Sequence, residues 1–161
     1  MVTAPTPDGI EAIRFDPPRD LRAVLFIPER RLATDAMRKA LPATVPFEDA
    51  VANLGAVSLG VAGMAAGRKD LLARLTVDRL HEPYRASVYP ELPRLVAAAR
   101  AAGALGACLS GAGSTIIAFT DSVSGITRIE AAFTAAAADD DIDGRIKVVE
   151  PRTAGARVLP G

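Results

Sequence analysis

The chain reads as an α+β domain with helices packed on one face of an antiparallel sheet. Three observations predict this. Strand-like apolar runs come in blocks instead of alternating strictly with helical patterns. Half of the residues are hydrophobic but only 4 % are aromatic and Trp is absent, so the expected core is Ala, Val, Leu and Ile, which suits close packing of helices on a sheet. The length, 161 residues, is that of one domain and is enough to bury a core.

In chain order, residues 1–9 read as an extended lead-in, and Ile10–Phe15 has strand composition ended by Pro17-Pro18. Leu21–Ile27 is an almost continuous apolar run stopped by Pro28, the pattern of a central buried strand. Thr34–Leu41 predicts a short helix with Thr34 as N-cap and Pro42 as its stop. Phe47, Val51, Leu54, Val57, Val61 and Met64 recur at helical spacing and predict a long amphipathic helix ending near Gly67. Lys69–Leu75 is expected to be helical. Leu92, Leu95, Val96 and Ala99 mark a helix that begins after Pro90 and is closed by Gly103. Two strands then flank Ser110–Thr115. A helix opened by Ser122 or Ser124 runs through Ile126, Ile129, Phe133 and Ala137, and strands are expected at Arg145–Glu150 and Ala156–Leu159. Neither a repeat nor a linker interrupts the pattern, so residues 1–161 are expected to form one domain.

Composition excludes several classes. Nineteen basic residues balance nineteen acidic ones, leaving no overall field for nucleic acid or an anionic membrane. The most apolar long stretch, Val45–Ala66, contains Glu48, Asp49 and Asn53, so no membrane span is expected. The N-terminus lacks the basic and apolar regions of a secretion signal. A single cysteine, Cys108, fits a reducing cytoplasm and reads as a buried structural thiol.

Four motifs carry candidate chemistry. In Ser110-Gly-Ala-Gly-Ser-Thr115 two glycines flanked by hydroxyls allow a sharp turn with N–H groups aimed at one spot, a geometry suited to phosphate. Composition alone equally allows a plain tight turn. The loop is not a Walker loop, because Ala112 and Gly113 stand where Lys and Ser/Thr are required. Nor is it a nucleophile elbow, since Cys108 replaces the first glycine. Asp78-Arg-Leu-His-Glu-Pro-Tyr-Arg85 contains the only histidine, read as a solvated or capping side chain, and Arg85, whose planar fork suits a carboxylate or phosphate. Thr34 and Arg38 stand four apart, on one helical face. Asp139–Glu150 satisfies the calcium-loop pattern. Its strand-like exit and Pro151 predict an acidic helix-to-strand turn instead, and no metal site is expected.

Together, Asp78–Arg85, the helix after it and Gly103–Thr115 resemble the C-terminal half of the homoserine kinases, a branch of the GHMP small-molecule kinase superfamily. The Leu80–Arg85 run resembles that branch specifically, and the glycine loop looks like the superfamily's third motif. The resemblance covers essentially the whole chain; one departure is Ser114, where proline usually follows the second glycine. It implies phosphoryl transfer from ATP, with Mg²⁺, to the hydroxyl of L-homoserine in threonine biosynthesis. By position it makes Thr34, Arg38 and Arg85 substrate contacts, alongside an Asn and an Asp of the N-terminal half. Ser110, Gly111 and Gly113 become supports of the phosphoryl-transfer site, and no catalytic residue falls in the chain. The family's Pro-x-x-x-Gly-Leu-Gly-Ser-Ser loop does not occur in the sequence. The N-terminal ATP-binding domain is therefore expected to be missing, the chain inactive alone, and an apolar face left bare for self-association as a homodimer. The alternatives are another GHMP kinase of mevalonate or shikimate type, or a non-catalytic α+β ligand-binding or dimerisation module.

Overall fold

A computed structural model of the chain describes residues 2–30 and 32–154. The predicted α+β architecture is present. Four strands, β3 (Arg22–Pro28), β4 (Gly106–Leu109), β5 (Ile116–Thr120) and β6 (Gly144–Val149), form one sheet in the order β4-β5-β3-β6. Every neighbouring pair is antiparallel. The lead-in is not merely extended: β1 (Val2–Thr6) and β2 (Gly9–Ile13) pair as a separate exposed hairpin. The expected strand Ala156–Leu159 lies outside the described residues.

Alternation along the strands builds the core. Val24 and Phe26 of β3, Ile116 and Ala118 of β5 and Ala107 of β4 point to one face and are buried. Two helices cover that face, α5 (Leu92–Ala101) through Leu95, Val96 and Ala99, and α6 (Val123–Asp139) through Ile129 and Phe133. The helix after β5 opens at Ser122, whose hydroxyl accepts the Gly125 N–H at 3.1 Å. Few aromatics do not mean unimportant ones. Tyr89 and Phe133 head the fully buried side chains, and Phe133 stacks on Phe26 with centroids 5.8 Å apart. On the other face Leu25, Cys108, Ile117 and Phe119 are only part-buried.

The remaining helices are α1 (Thr34–Lys39), α2 (Phe47–Ala65), α3 (Leu72–Leu75, after a 3-10 turn at Lys69–Leu71) and α4 (Glu82–Arg85). One expectation is corrected at α1. The Ala33 carbonyl accepts the Met37 N–H at 3.1 Å, so Ala33 is the N-cap and Thr34 is already in the first turn. In α2 the buried positions are Gly60 and Gly63, which press on Leu75 and Leu71. A Cβ at Gly60 would lie 2.4 Å from that of Leu75, so only glycine permits this seam. Phe47, Val51, Leu54 and Val57 face solvent.

The calcium-like segment is a helix-to-strand turn. α6 ends at Asp139, and the chain leaves as β6, not as a helix. Arg94 of α5 donates to Asp140 at 2.8 Å and to Asp139 at 3.1 Å, which ties the acidic turn to the helix layer.

Candidate functional site

The site is assembled where α4 meets the β4–β5 hairpin. Asp78 organises the approach to α4: its carboxylate accepts the N–H groups of Leu80 at 2.8 Å, His81 at 3.1 Å and Glu82 at 3.0 Å. Burial opposes the charge on Asp78, but these backbone donors and the adjacent His81 ring hold its carboxyl below the ordinary value. His81 occupies the N-cap position of α4 without a cap bond from its ring, whose Nδ1 lies 3.2 Å from both Asp78 oxygens. Pro83 follows within the first turn, where its missing N–H costs nothing.

One turn later the Arg85 Nη1 donates to the Gly111 carbonyl at 2.9 Å. Its Nε is buried without a partner among the described residues. Thus Arg85 and the glycine loop, separated by 26 positions, are brought into direct contact. Gly111 (φ +62°) and Gly113 (φ +92°) both occupy the left-handed region that favours glycine. The loop consumes two of its own donors, Ser110 N–H to Thr115 O at 2.8 Å and Gly113 N–H to Ser110 O at 3.1 Å. Ser114 Oγ donates to the Arg30 carbonyl at 3.0 Å. These bonds brace the hairpin from within and from the Arg30 backbone.

A cleft of ≈ 460 Å³ lies against the hairpin, lined among others by Asn53, Val57, His81, Glu82, Arg85 and Cys108. Burial pushes the Cys108 thiol up to about 11, helped by the charge of Glu82, so it is a neutral thiol at physiological pH. It is half-buried rather than fully enclosed. Thr34 and Arg38 stand apart from this cleft, exposed on α1. Their link to the loop is indirect. Met37, between them in sequence, is fully buried, and its Cε would lie 3.5 Å from a Cβ on Gly113.

Sequence reasoning passed over three residues: Asp78, which caps the turn into α4, and two that hold the hairpin. Glu82 Oε1 accepts the Leu109 N–H at 2.5 Å, and Arg100 Nη2 donates to the carbonyls of Ala107 and Thr76, each at 2.8 Å. Asp78 carried a legible signal, a capping carboxylate shortly before Glu-Pro. Arg100 carried none, because its partners are backbone carbonyls, which no side-chain pattern marks.

This geometry, a glycine hairpin backed by a one-turn helix in a four-stranded antiparallel sheet, has a counterpart among known proteins. Residues 52–139 match the family described as GHMP kinases C terminal, and the chain belongs to that family. Curated relatives are homoserine kinases. That of Moorella thermoacetica is 40 % identical over 154 residues, 94 % of this chain and 51 % of the relative. That of Prochlorococcus marinus (strain NATL1A) is 42 % identical over 125 residues, covering 77 % and 40 % respectively. The chain spans about half the length of the curated relatives it matches, or less. Among solved structures, the homoserine kinase from Cytophaga hutchinsonii superposes with TM-score 0.84 at 28 % identity, over 90 % of this chain and 46 % of that one. The mevalonate kinase of L. major gives TM-score 0.63 at 19 % identity over 94 % of this chain and 49 % of that one, a likeness of fold alone.

Proposed function

We propose that this chain, residues 1–161 as one domain, is the substrate-side part of an ATP-dependent kinase that phosphorylates the hydroxyl of L-homoserine, a step of threonine biosynthesis. The observation that carries the reading is Arg85, anchored through Nη1 to the glycine loop while its buried Nε has no partner among the described residues. A substrate carboxylate accepting from the free side of that fork would hold the amino acid against the loop. Arg38, as a second guanidinium, and Thr34, as a hydroxyl, are the further substrate contacts of this reading, from α1 outside the Arg85 cleft. Ser110, Gly111 and Gly113 support the wall beside the transferring phosphoryl group. Such transfer depends on positioning and charge neutralisation more than on covalent chemistry by the protein.

ATP and Mg²⁺ are assigned mainly to residues outside this sequence. The chain contains no Pro-x-x-x-Gly-Leu-Gly-Ser-Ser segment, and among the described residues no cluster of three His, Cys, Asp or Glu is placed to hold a metal. Those groups would supply and neutralise the phosphoryl group; the residues here would bind and orient its acceptor. A cytoplasmic setting suits the single thiol, and no helix among the described residues is long and apolar enough to cross a membrane.

Thermal-shift titration of the chain with L-homoserine, mevalonate and shikimate tests the reading. Homoserine alone is expected to raise the melting temperature, and Arg38→Ala or Arg85→Ala to abolish the rise. An unchanged shift in both variants refutes the pocket; a response to mevalonate instead reassigns the substrate. The chain alone is expected to release no ADP from ATP and homoserine. Self-association, expected of a chain that bares Phe47 and Leu54, is read by light scattering, and a clean monomer at high concentration counts against it.

A further inference from the structure

β4 is an outer strand of the sheet, and outer strands carry unpaired backbone groups. In its register with β5, Leu109 faces Ile116, while the next residue, Ser110, donates its N–H to Thr115. The Leu109 N–H and the Ala107 carbonyl therefore point away from β5, to the free edge. Each meets a charged side chain of the matching kind. Glu82 accepts from Leu109 at 2.5 Å and Arg100 donates to Ala107 at 2.8 Å. Glu82 is the first residue of α4 and Arg85 the last, so one helical turn grips the hairpin at two points, Leu109 just before the glycine loop and Gly111 inside it.

We propose that Glu82 is a positioning residue, whose carboxylate pins the edge of β4 at Leu109 and thereby sets the Ser110–Thr115 loop and the Arg85 guanidinium in register with each other. Its consequence for substrate rests on the homoserine reading above; the brace itself does not. Arg85 cannot keep its grip on Gly111 if the preceding strand is free to shift, because the helix that carries Arg85 is a single turn with no packing length of its own. Asp78 fixes the other end of the lever by capping the same turn. An uncharged acceptor at position 82 would preserve the bond to Leu109, which separates bonding from charge.

Nuclear magnetic resonance of the 161-residue chain reads the brace directly. The charged groups facing Glu82 are Asp78, Arg85 and Arg100. In the wild type, the Leu109 amide proton is expected to follow an acid-range titration that disappears in Glu82→Gln while the remaining spectrum persists. Glu82→Ala is expected to speed exchange of the Leu109 and Gly111 amides tenfold or more and to shift the loop resonances, with Glu82→Gln restoring them. In thermal-shift titrations, Glu82→Ala should weaken homoserine binding at least tenfold and Glu82→Gln should retain it. A Leu109 amide that ignores both pH and substitution overturns the proposal, and Glu82→Gln keeps it open to that refutation even if the alanine variant does not fold. Equal homoserine affinity in wild type and Glu82→Ala also overturns it. A wild-type chain that binds no homoserine, yet shows the Leu109 titration, refutes the substrate reading and supports the brace.

Discussion

α2 and α6 are of similar length, 19 and 17 residues, and both carry apolar residues at helical spacing. Their fates differ. α6 buries Ile129, Phe133, Ala136 and Ala137 against the sheet, whereas α2 leaves Phe47 84 %, Leu54 70 % and Val51 51 % exposed. What α2 buries is its glycines, Gly60 and Gly63. A periodic stripe thus announces that a helix has an apolar face, without stating what covers it. α6 follows β5 directly and lies back over the sheet, while α2 packs on the 3-10 turn and α3.

The comparison is broken most readily by truncating one member of each stripe. Phe133→Ala should cost about 3–5 kcal/mol, because it removes a stacked, fully buried ring. Phe47→Ala should stay within about 0.5 kcal/mol. Urea denaturation measures both, and equal losses would mean that the α2 stripe is covered in the folded protein. A finer contrast lies within α2 itself. Gly60→Ala places a Cβ 2.7 Å from the Leu75 Cα and should destabilise by about 1–3 kcal/mol. Gly55→Ala meets nothing within 4 Å and should stabilise by roughly 0.5–1 kcal/mol through helix propensity. Melting temperatures that move in the same direction would place the seam elsewhere.

The smallest effects are electrostatic and set α4 against itself. Asp78 is held below its ordinary 3.8 in the folded chain, so its contribution is present above that value and is lost as pH falls through the folded pKa. Glu82 is pushed above its ordinary 4.5, mainly by burial, so stability declines as pH rises from 4.5 through its folded pKa. Asp78→Asn should therefore lower the urea midpoint at neutral pH, with the gap to wild type closing below pH 3.8. Glu82→Gln should flatten the decline above 4.5. A pH-independent gap for Asp78→Asn would deny its carboxylate the capping role.

Much of the fold was legible because local rules and tertiary outcome agree. Leu21–Ile27 is the inner strand its apolar run predicts, and Ser122 caps the helix it precedes. Legibility failed where partners are distant or absent. Nothing local says that Val2–Thr6 will pair with Gly9–Ile13 and then stand off the sheet, or that Ala33 rather than Thr34 opens α1. The candidate site divides in the same way. The glycines and the Arg85 fork are readable as chemistry, since φ > 0 and a planar cation are properties of single residues. Thr34 and Arg38 share a helical face as their spacing requires, yet that spacing does not say that they lie outside the Arg85 cleft.

By itself, then, the sequence determined the order and type of the main elements, the sharp turn at Gly111 and Gly113 and the family marks in Asp78–Arg85, all consequences of local stereochemistry and periodicity. Tertiary structure alone decided that Arg85 meets Gly111, that Glu82 takes the orphan N–H of an outer strand and that α2 turns its glycines inward. The first two contacts join positions 26 and 27 residues apart, and all three follow from how the sheet and its covering helices close, which no local pattern encodes.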